Sequence, residues 1–393
     1  RLRRRIVAAW ETDEIRGQRP TPVDEAKWGF ATVENSLWKA LPACLREFDE
    51  CLRDVLGEGL TLDATPIRIG SWMGGDRDGN PFVTHQVTAE VILLARWMAC
   101  DLYLRDIDTL RAELSLSRCG DALRAQVGDA SREPYRDWLK QVRGRLQATQ
   151  AAALAALGRA DAALQSEAGD AIAYATGDEL LADMQLCHDD LQAAGLALLC
   201  EGGLSDNLRR IATFGFGLMR LDIRQESTRH VDALAAITKY LGLGDYGAWD
   251  EQQRQQFLLQ ELASPRPLLP LSALSTDVVS GFSDEVREVL ATFQLLATQP
   301  AEALGAYVIS MAHQPSDVLA VMVLQRKADS RHPLRVVPLF ETYDDLARAP
   351  SCLRSLLALP IYRECIGNHQ EIMIGYSDSA KDAGFLAAAW AQY

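Results

Sequence analysis

The chain has 393 residues, 48% of them apolar and 24% charged, enough to bury a large core in an ordinary water-facing fold. A formal net charge of −14 argues against general nucleic-acid binding, which needs clustered Lys and Arg. No apolar stretch approaches the roughly 20 residues of a membrane-spanning helix.

The opening residues, RLRRRIVAAW, read as an amphipathic helix over positions 1–15, and RPTPVDEAKWG as a proline-directed connection. Residues 28–56 carry apolar positions at helical spacing. A short run at 66–69 (PIRI) predicts a strand, followed by the polar loop 70–81, GSWMGGDRDGNP. Its four glycines allow close backbone approach to a ligand, and Asp76, Arg77 and Asp78 place both charge signs together. As a calcium loop counted from Asp76 it fails, since Pro81 and Val87 occupy the glycine and glutamate positions.

Residues 87–110 form an amphipathic helix, with Val91, Leu94, Met98, Leu102 and Ile107 on one face. Pro134 opens another, through Tyr135, Leu139, Val142 and Leu146. The Ala-rich stretch 147–199 predicts helical hairpins, and 244–270 a polar helix flanked by turns. Gly242, Gly244 and Gly247 match G-x-G-x-x-G, but they follow a helix-like segment, which makes them a helix stop and turn.

Four further apolar runs predict strands that end in reactive residues: 218–223 before RQES, 306–311 before AHQPSD, 334–340 before ETYDD and 372–376 before SDSAKDAG. Apolar runs separated by helices indicate buried parallel strands, and in a barrel of such strands ligands bind at the carboxyl ends. The expected fold is therefore α/β, strongly helix-dominated, containing part of a (β/α)8 barrel with many additional helices. No repeat or linker marks a domain boundary.

Glu341 and Asp378 lie just past two of these strands, where carboxylates can hold Mg²⁺ or Mn²⁺; helix capping is the alternative for Asp378. Arg220, inside an apolar strand, needs Asp222, Glu226 or a bound anion as partner. Lys381, one helical turn beyond Asp378, either is solvated or faces a phosphate. The six histidines show no ligand spacing and are expected to be structural or at the surface. The eight cysteines form no CxxC pair and are expected to be reduced and buried, as in a cytosolic enzyme.

Taken together, DEAKWGFATVENSLW, GSWMGGDRDGNPFVT, RLDIRQESTRH, AYVISMAHQPSDVLAV, VVPLFET and IGYSDSAKDAG resemble the phosphoenolpyruvate carboxylase family, of the bacterial kind. The resemblance spans the chain and implies the central segment of a single catalytic unit. It implies a carboxylation of phosphoenolpyruvate with bicarbonate, through carboxyphosphate and the enolate of pyruvate, to oxaloacetate and phosphate. It further implies Mg²⁺ or Mn²⁺, and a cytoplasmic, allosteric homotetramer feeding the tricarboxylic acid cycle. By motif position Glu341 and Asp378 become metal ligands, Arg220 a phosphate contact and Lys381 an active-site lysine. Trp72 and Arg77 belong to a loop beside the substrate. The family's essential histidine is expected upstream of Arg1 and its Gly- and Arg-rich loop beyond Tyr393. Five strands are readable where the family closes eight. Two alternatives are another Mg²⁺-dependent barrel acting on phosphoenolpyruvate or pyruvate enolate, and a non-catalytic helical scaffold.

Overall fold

The computed structural model describes residues 2–11, 20–159, 161, 165–166, 169–269 and 281–393. Arg1 and residues 12–15 of the first expected helix, Arg19 of the connection, six positions of the Ala-rich stretch (160, 162–164, 167–168) and Pro270 lie outside them.

Helices α1 (Leu2–Trp10), α2 (Pro22–Thr32) and α3 (Trp38–Leu56) precede β1 (Gly70–Ser71). Thr21 and Asp24 form a reciprocal cap that starts α2. Between β1 and β2 (Arg220–Glu226) lie α4 (His85–Glu113), α5 (Asp121–Val127), α6 (Pro134–Ala156), α7 (Gly177–Ala193) and α8 (Gly203–Phe214). The periodic apolar faces are buried as expected: Val91, Leu94, Leu102 and Ile107 on α4, with Met98 partly so, and Tyr135, Leu139, Val142 and Leu146 on α6. Gly242 and Gly244 have positive φ and close a turn, as expected for a helix stop.

From β2 the chain passes through α9 (Ser227–Tyr240), α10 (Glu251–Ala263) and α11 (Asp284–Thr298) to β3 (Leu304–Ser310). α12 (Pro315–Lys327) leads to β4 (Arg335–Phe340), and α13 (Tyr343–Leu357) and α14 (Pro360–Ile366) to β5 (Met373–Ile374); α15 (Tyr376–Ala383) and α16 (Phe385–Gln392) follow. All strand pairs are parallel and run in chain order, β1-β2-β3-β4-β5, giving half of a barrel wrapped in helices. Among the described residues no helix is long and apolar enough to cross a membrane.

Three strands differ from expectation, β5 keeping only Met373–Ile374 of the run 372–376 because Tyr376 already opens α15. Residues 66–69 are not extended into the sheet; pairing starts where Arg220 N–H donates to Ile69 O (2.9 Å), so β1 is Gly70–Ser71. Pro66 has no N–H to donate, and residues 66–68 face solvent. β2 starts later and ends later than its apolar run: Leu218 has φ +58, which breaks extension, while pairing continues through Glu226. Along β2, Leu221, Ile223 and Gln225 are buried and alternate with half-buried Arg220, Asp222, Arg224 and Glu226. Arg224 pairs with Val308, so this polar row shares the face on which Ala306, Val308, Val337, Leu339 and Met373 cluster. That face is the inside of the half-barrel. A register shift between Leu221 and Ile223 is filled by Asp222, whose Oδ1 accepts from Ala306 N–H (2.7 Å).

The cysteines are all free, but only Cys100, Cys187, Cys200 and Cys352 are buried. Cys44, Cys51 and Cys365 are exposed, on the outward faces of α3 and α14, and Cys119 is intermediate.

Candidate active site

The carboxyl ends of the strands carry the site. Glu341 directly follows β4 and is only 8% exposed. Its Oε1 accepts the Met311 N–H at 2.9 Å. Burial pushes the carboxyl above the usual range; Asp78 and Asp378 add to that, while the Met311 N–H and Arg224 oppose it. These four groups from four strand ends therefore share one electrostatic environment. Gly375, after β5, packs against Glu341 so closely that a Cβ there would lie 2.6 Å from the Glu341 Cβ.

Asp378 is exposed in the first turn of α15. It does not cap that helix, since Gly375 holds the cap position without a side-chain bond. Its contacts are Ser377 Oγ (3.5 Å) and Lys381 Nζ (3.4 Å), so its oxygens stay open to other ligands. Lys381 is well exposed beside it.

The loop after β1 folds over the end of β2. Arg77 N–H donates to Arg224 O (2.9 Å) and Arg224 N–H to Gly75 O (3.0 Å), extending the ladder by one bridge. The Arg224 guanidinium is gripped from above: Nε donates to Asp76 Oδ1 (2.8 Å) and Nη2 lies 3.3 Å from Asp78 Oδ2. Trp72, 54% exposed, stands at the start of the same loop.

Not every expected residue converges here. Arg220 is the first residue of β2, at the amino end of the strand, where its charged neighbours are Arg68, Arg335 and Glu302. It forms no hydrogen bond or ion pair with Asp222 or Glu226: Asp222 is turned to β3, and Glu226 is six positions along the strand. The arginine that the strand delivers to the site is Arg224. Arg77 is buried beneath its loop, donating to Gly75 O (3.0 Å) and Thr88 Oγ1 (2.7 Å), and so faces away from the opening. Asp76 and Asp78 belong to the charged loop already singled out in the sequence, whereas Arg224 is the residue at this end that was not. His230, fully buried with Nε2 2.8 Å from the Tyr307 hydroxyl, is structural as expected.

Among the described residues no cluster of three or more His, Cys, Asp or Glu side chains forms a closed metal cage. Glu341, with Oε1 on the Met311 N–H, and exposed Asp378 offer carboxylate oxygens at this end of the strands, the donor type that hard ions take.

A sequence profile described as phosphoenolpyruvate carboxylase matches residues 1–393. The chain belongs to this family. It is 55% identical over its full length to the phosphoenolpyruvate carboxylase of Marinobacter nauticus, 56% to that of Pseudomonas aeruginosa and 51% to that of Vibrio vulnificus. In each case it spans 43% of the relative's length. Family membership and the half-barrel agree on a (β/α) barrel architecture with additional helices.

Proposed function

We propose that this chain is the central part of one catalytic unit that carboxylates phosphoenolpyruvate with bicarbonate, giving oxaloacetate and phosphate. The observation that carries the reading is the convergence of Glu341, Asp378 and loop-gripped Arg224 at one barrel end, in a chain of this family. A bicarbonate oxygen attacks phosphorus and the bond to the enol oxygen breaks, leaving carboxyphosphate and the enolate. Carboxyphosphate then releases carbon dioxide and phosphate, and the enolate carbon takes up the carbon dioxide.

Glu341 and Asp378 would hold Mg²⁺ or Mn²⁺, which when bound offsets negative charge on phosphate and enolate oxygens. Arg224 offers a planar fork already oriented by Asp76 and Asp78, so less freedom is lost when it meets the phosphate. Lys381 brings a mobile cation to the Asp378 side. Trp72 offers an apolar face for the three-carbon unit and helps to exclude water, which would protonate the enolate. This assignment moves the phosphate contact from Arg220 to Arg224 and makes Arg77 a brace of the loop. A cytoplasmic homotetramer under allosteric control, supplying oxaloacetate to the tricarboxylic acid cycle, is the setting the family suggests.

In the full-length protein, Glu341→Gln and Asp378→Asn should each raise the Mn²⁺ concentration for half-maximal rate by at least about tenfold, as removal of one ligand from a sparse set implies. A coupled assay of oxaloacetate formation reads this directly. Unchanged metal dependence in both variants refutes the ligand assignment.

A further inference from the structure

Three strand ends meet at one residue. Met311, the residue after β3, has φ +53, in the left-handed region that a methionine seldom adopts. The peptide groups on both sides of its Cα are held. The Met311 N–H donates to Glu341 Oε1 (2.9 Å), and its carbonyl accepts from Ser227 Oγ (2.7 Å). Ser227 opens α9 immediately after β2 and is 4% exposed, so this hydroxyl has little competition from water. Met311 thus ties the end of β2 to the carboxylate at the end of β4. Oε2 of Glu341 has no hydrogen-bond partner among the described residues.

We propose that Ser227, acting through the Met311 backbone, is a positioning residue that commits Glu341 Oε1 to the protein and leaves Oε2 alone to bind a divalent ion. The inference rests on the reading of Glu341 as a metal ligand. A strained backbone conformation persists where its surroundings over-determine it; here the surroundings are the two hydrogen bonds, and what they fix is the direction of a carboxylate. The consequence would be single-oxygen binding by Glu341, which leaves the remaining positions of the ion to Asp378, water and substrate oxygens. Without the Ser227 bond the backbone at Met311 can turn about its Cα, the N–H that holds the carboxylate loses its fixed direction, and ion binding must pay to order it.

The test is Mn²⁺ binding to the full-length protein without substrate, followed by the loss of the free-ion electron paramagnetic resonance signal. Ser227→Ala should weaken binding about tenfold, the lower bound for loss of a group that orients a ligand, and Ser227→Thr, which keeps the hydroxyl, should bind within about twofold of wild type, again on the scale set by such orienting groups. Phosphoenolpyruvate half-saturation at saturating Mn²⁺ should stay unchanged in both. If Ser227→Ala does not fold, the same substitution in a Met311→Gly background, where left-handed backbone carries no strain, keeps the comparison. Wild-type affinity in Ser227→Ala alongside lost affinity in Glu341→Gln overturns the positioning role only. Wild-type affinity in Glu341→Gln overturns the metal assignment itself.

Discussion

Arg220 and Arg224 lie on one strand and one face, yet four residues of extended chain separate them by about 13 Å. That distance decides which of them can meet a substrate at the carboxyl end of the barrel. Arg224→Lys in the full-length protein should raise phosphoenolpyruvate half-saturation by about tenfold or more, because an ammonium cannot reproduce a fork held by two carboxylates. Arg220→Lys should leave it within about twofold, because at that distance its charge is screened from the substrate; steady-state kinetics of the pair checks both, and the reverse ranking refutes the assignment. His230 supplies a second residue-scale test. Burial lowers its pKa to about 3, so the folded protein cannot take the proton that an unfolded histidine binds below about 6.5. This term is absent above pH 6.5 and costs stability progressively as pH falls towards 3, by up to about 1.4 kcal/mol per pH unit. His230→Phe keeps the packing against Phe293 and Tyr307 but loses the Tyr307 hydrogen bond. Its melting temperature should therefore lie below wild type at pH 7.5, and the gap should narrow as pH falls to 4.5. A gap independent of pH contradicts the buried neutral state.

The elements that build the site are positioned by close backbone approach. A methyl group on Gly75 would overlap the Asp222 carbonyl of β2, and that obstacle is backbone rather than a side chain that could give way. Gly75→Ala should lift the loop off β2, cost on the order of 1–3 kcal/mol of stability and weaken substrate binding together with the Asp76–Arg224 contact. Thermal melting and phosphoenolpyruvate half-saturation read the two effects; wild-type values for both would show that the loop adapts. Strand existence was legible because β3 and β4 are apolar on both faces and terminate in polar loops. The extent of β2 was not, because an apolar run is the wrong signal for a strand with one polar face. The period-2 pattern of RLDIRQE carries that information, with Arg220, Asp222, Arg224 and Glu226 alternating against Leu221, Ile223 and Gln225. Recognising it places Arg224 inside the strand and at the site. Glu341 was legible as a strand-end residue because it directly follows β4, whereas Asp378 lies four positions past β5, in the first turn of α15. The Arg77 orientation was not, since nothing in DRDGN tells which of its charges turns inward. That is decided by Thr88, which reaches the loop from α4.

At the scale of the molecule, the half-barrel leaves an apolar margin. Ile374 on β5, Tyr376 on α15, and Phe385, Leu386 and Trp390 on α16 are all exposed. An unpaired parallel strand beside such a patch is a surface for further chain or for self-association. Residues 1–393 produced alone should therefore form higher oligomers at micromolar concentration, whereas the full-length protein should not do so through this surface. Light scattering after size-exclusion chromatography distinguishes them, and a monodisperse monomer of the 393-residue chain refutes the expectation. The links between strand ends have a different consequence. Arg77 and Arg224 join β1 to β2, Ser227 and Met311 join β2 to β3, Met311 and Glu341 join β3 to β4, and the Gly375 N–H bonded to Phe340 O joins β4 to β5. These links run in chain order, each helping to tie one strand end to the next. The amides of Arg77, Arg224, Met311 and Gly375 should accordingly exchange with deuterium at a common rate, as one cooperative unit spanning some 300 positions of sequence, and a divalent ion that touches only two of the strands should slow all four.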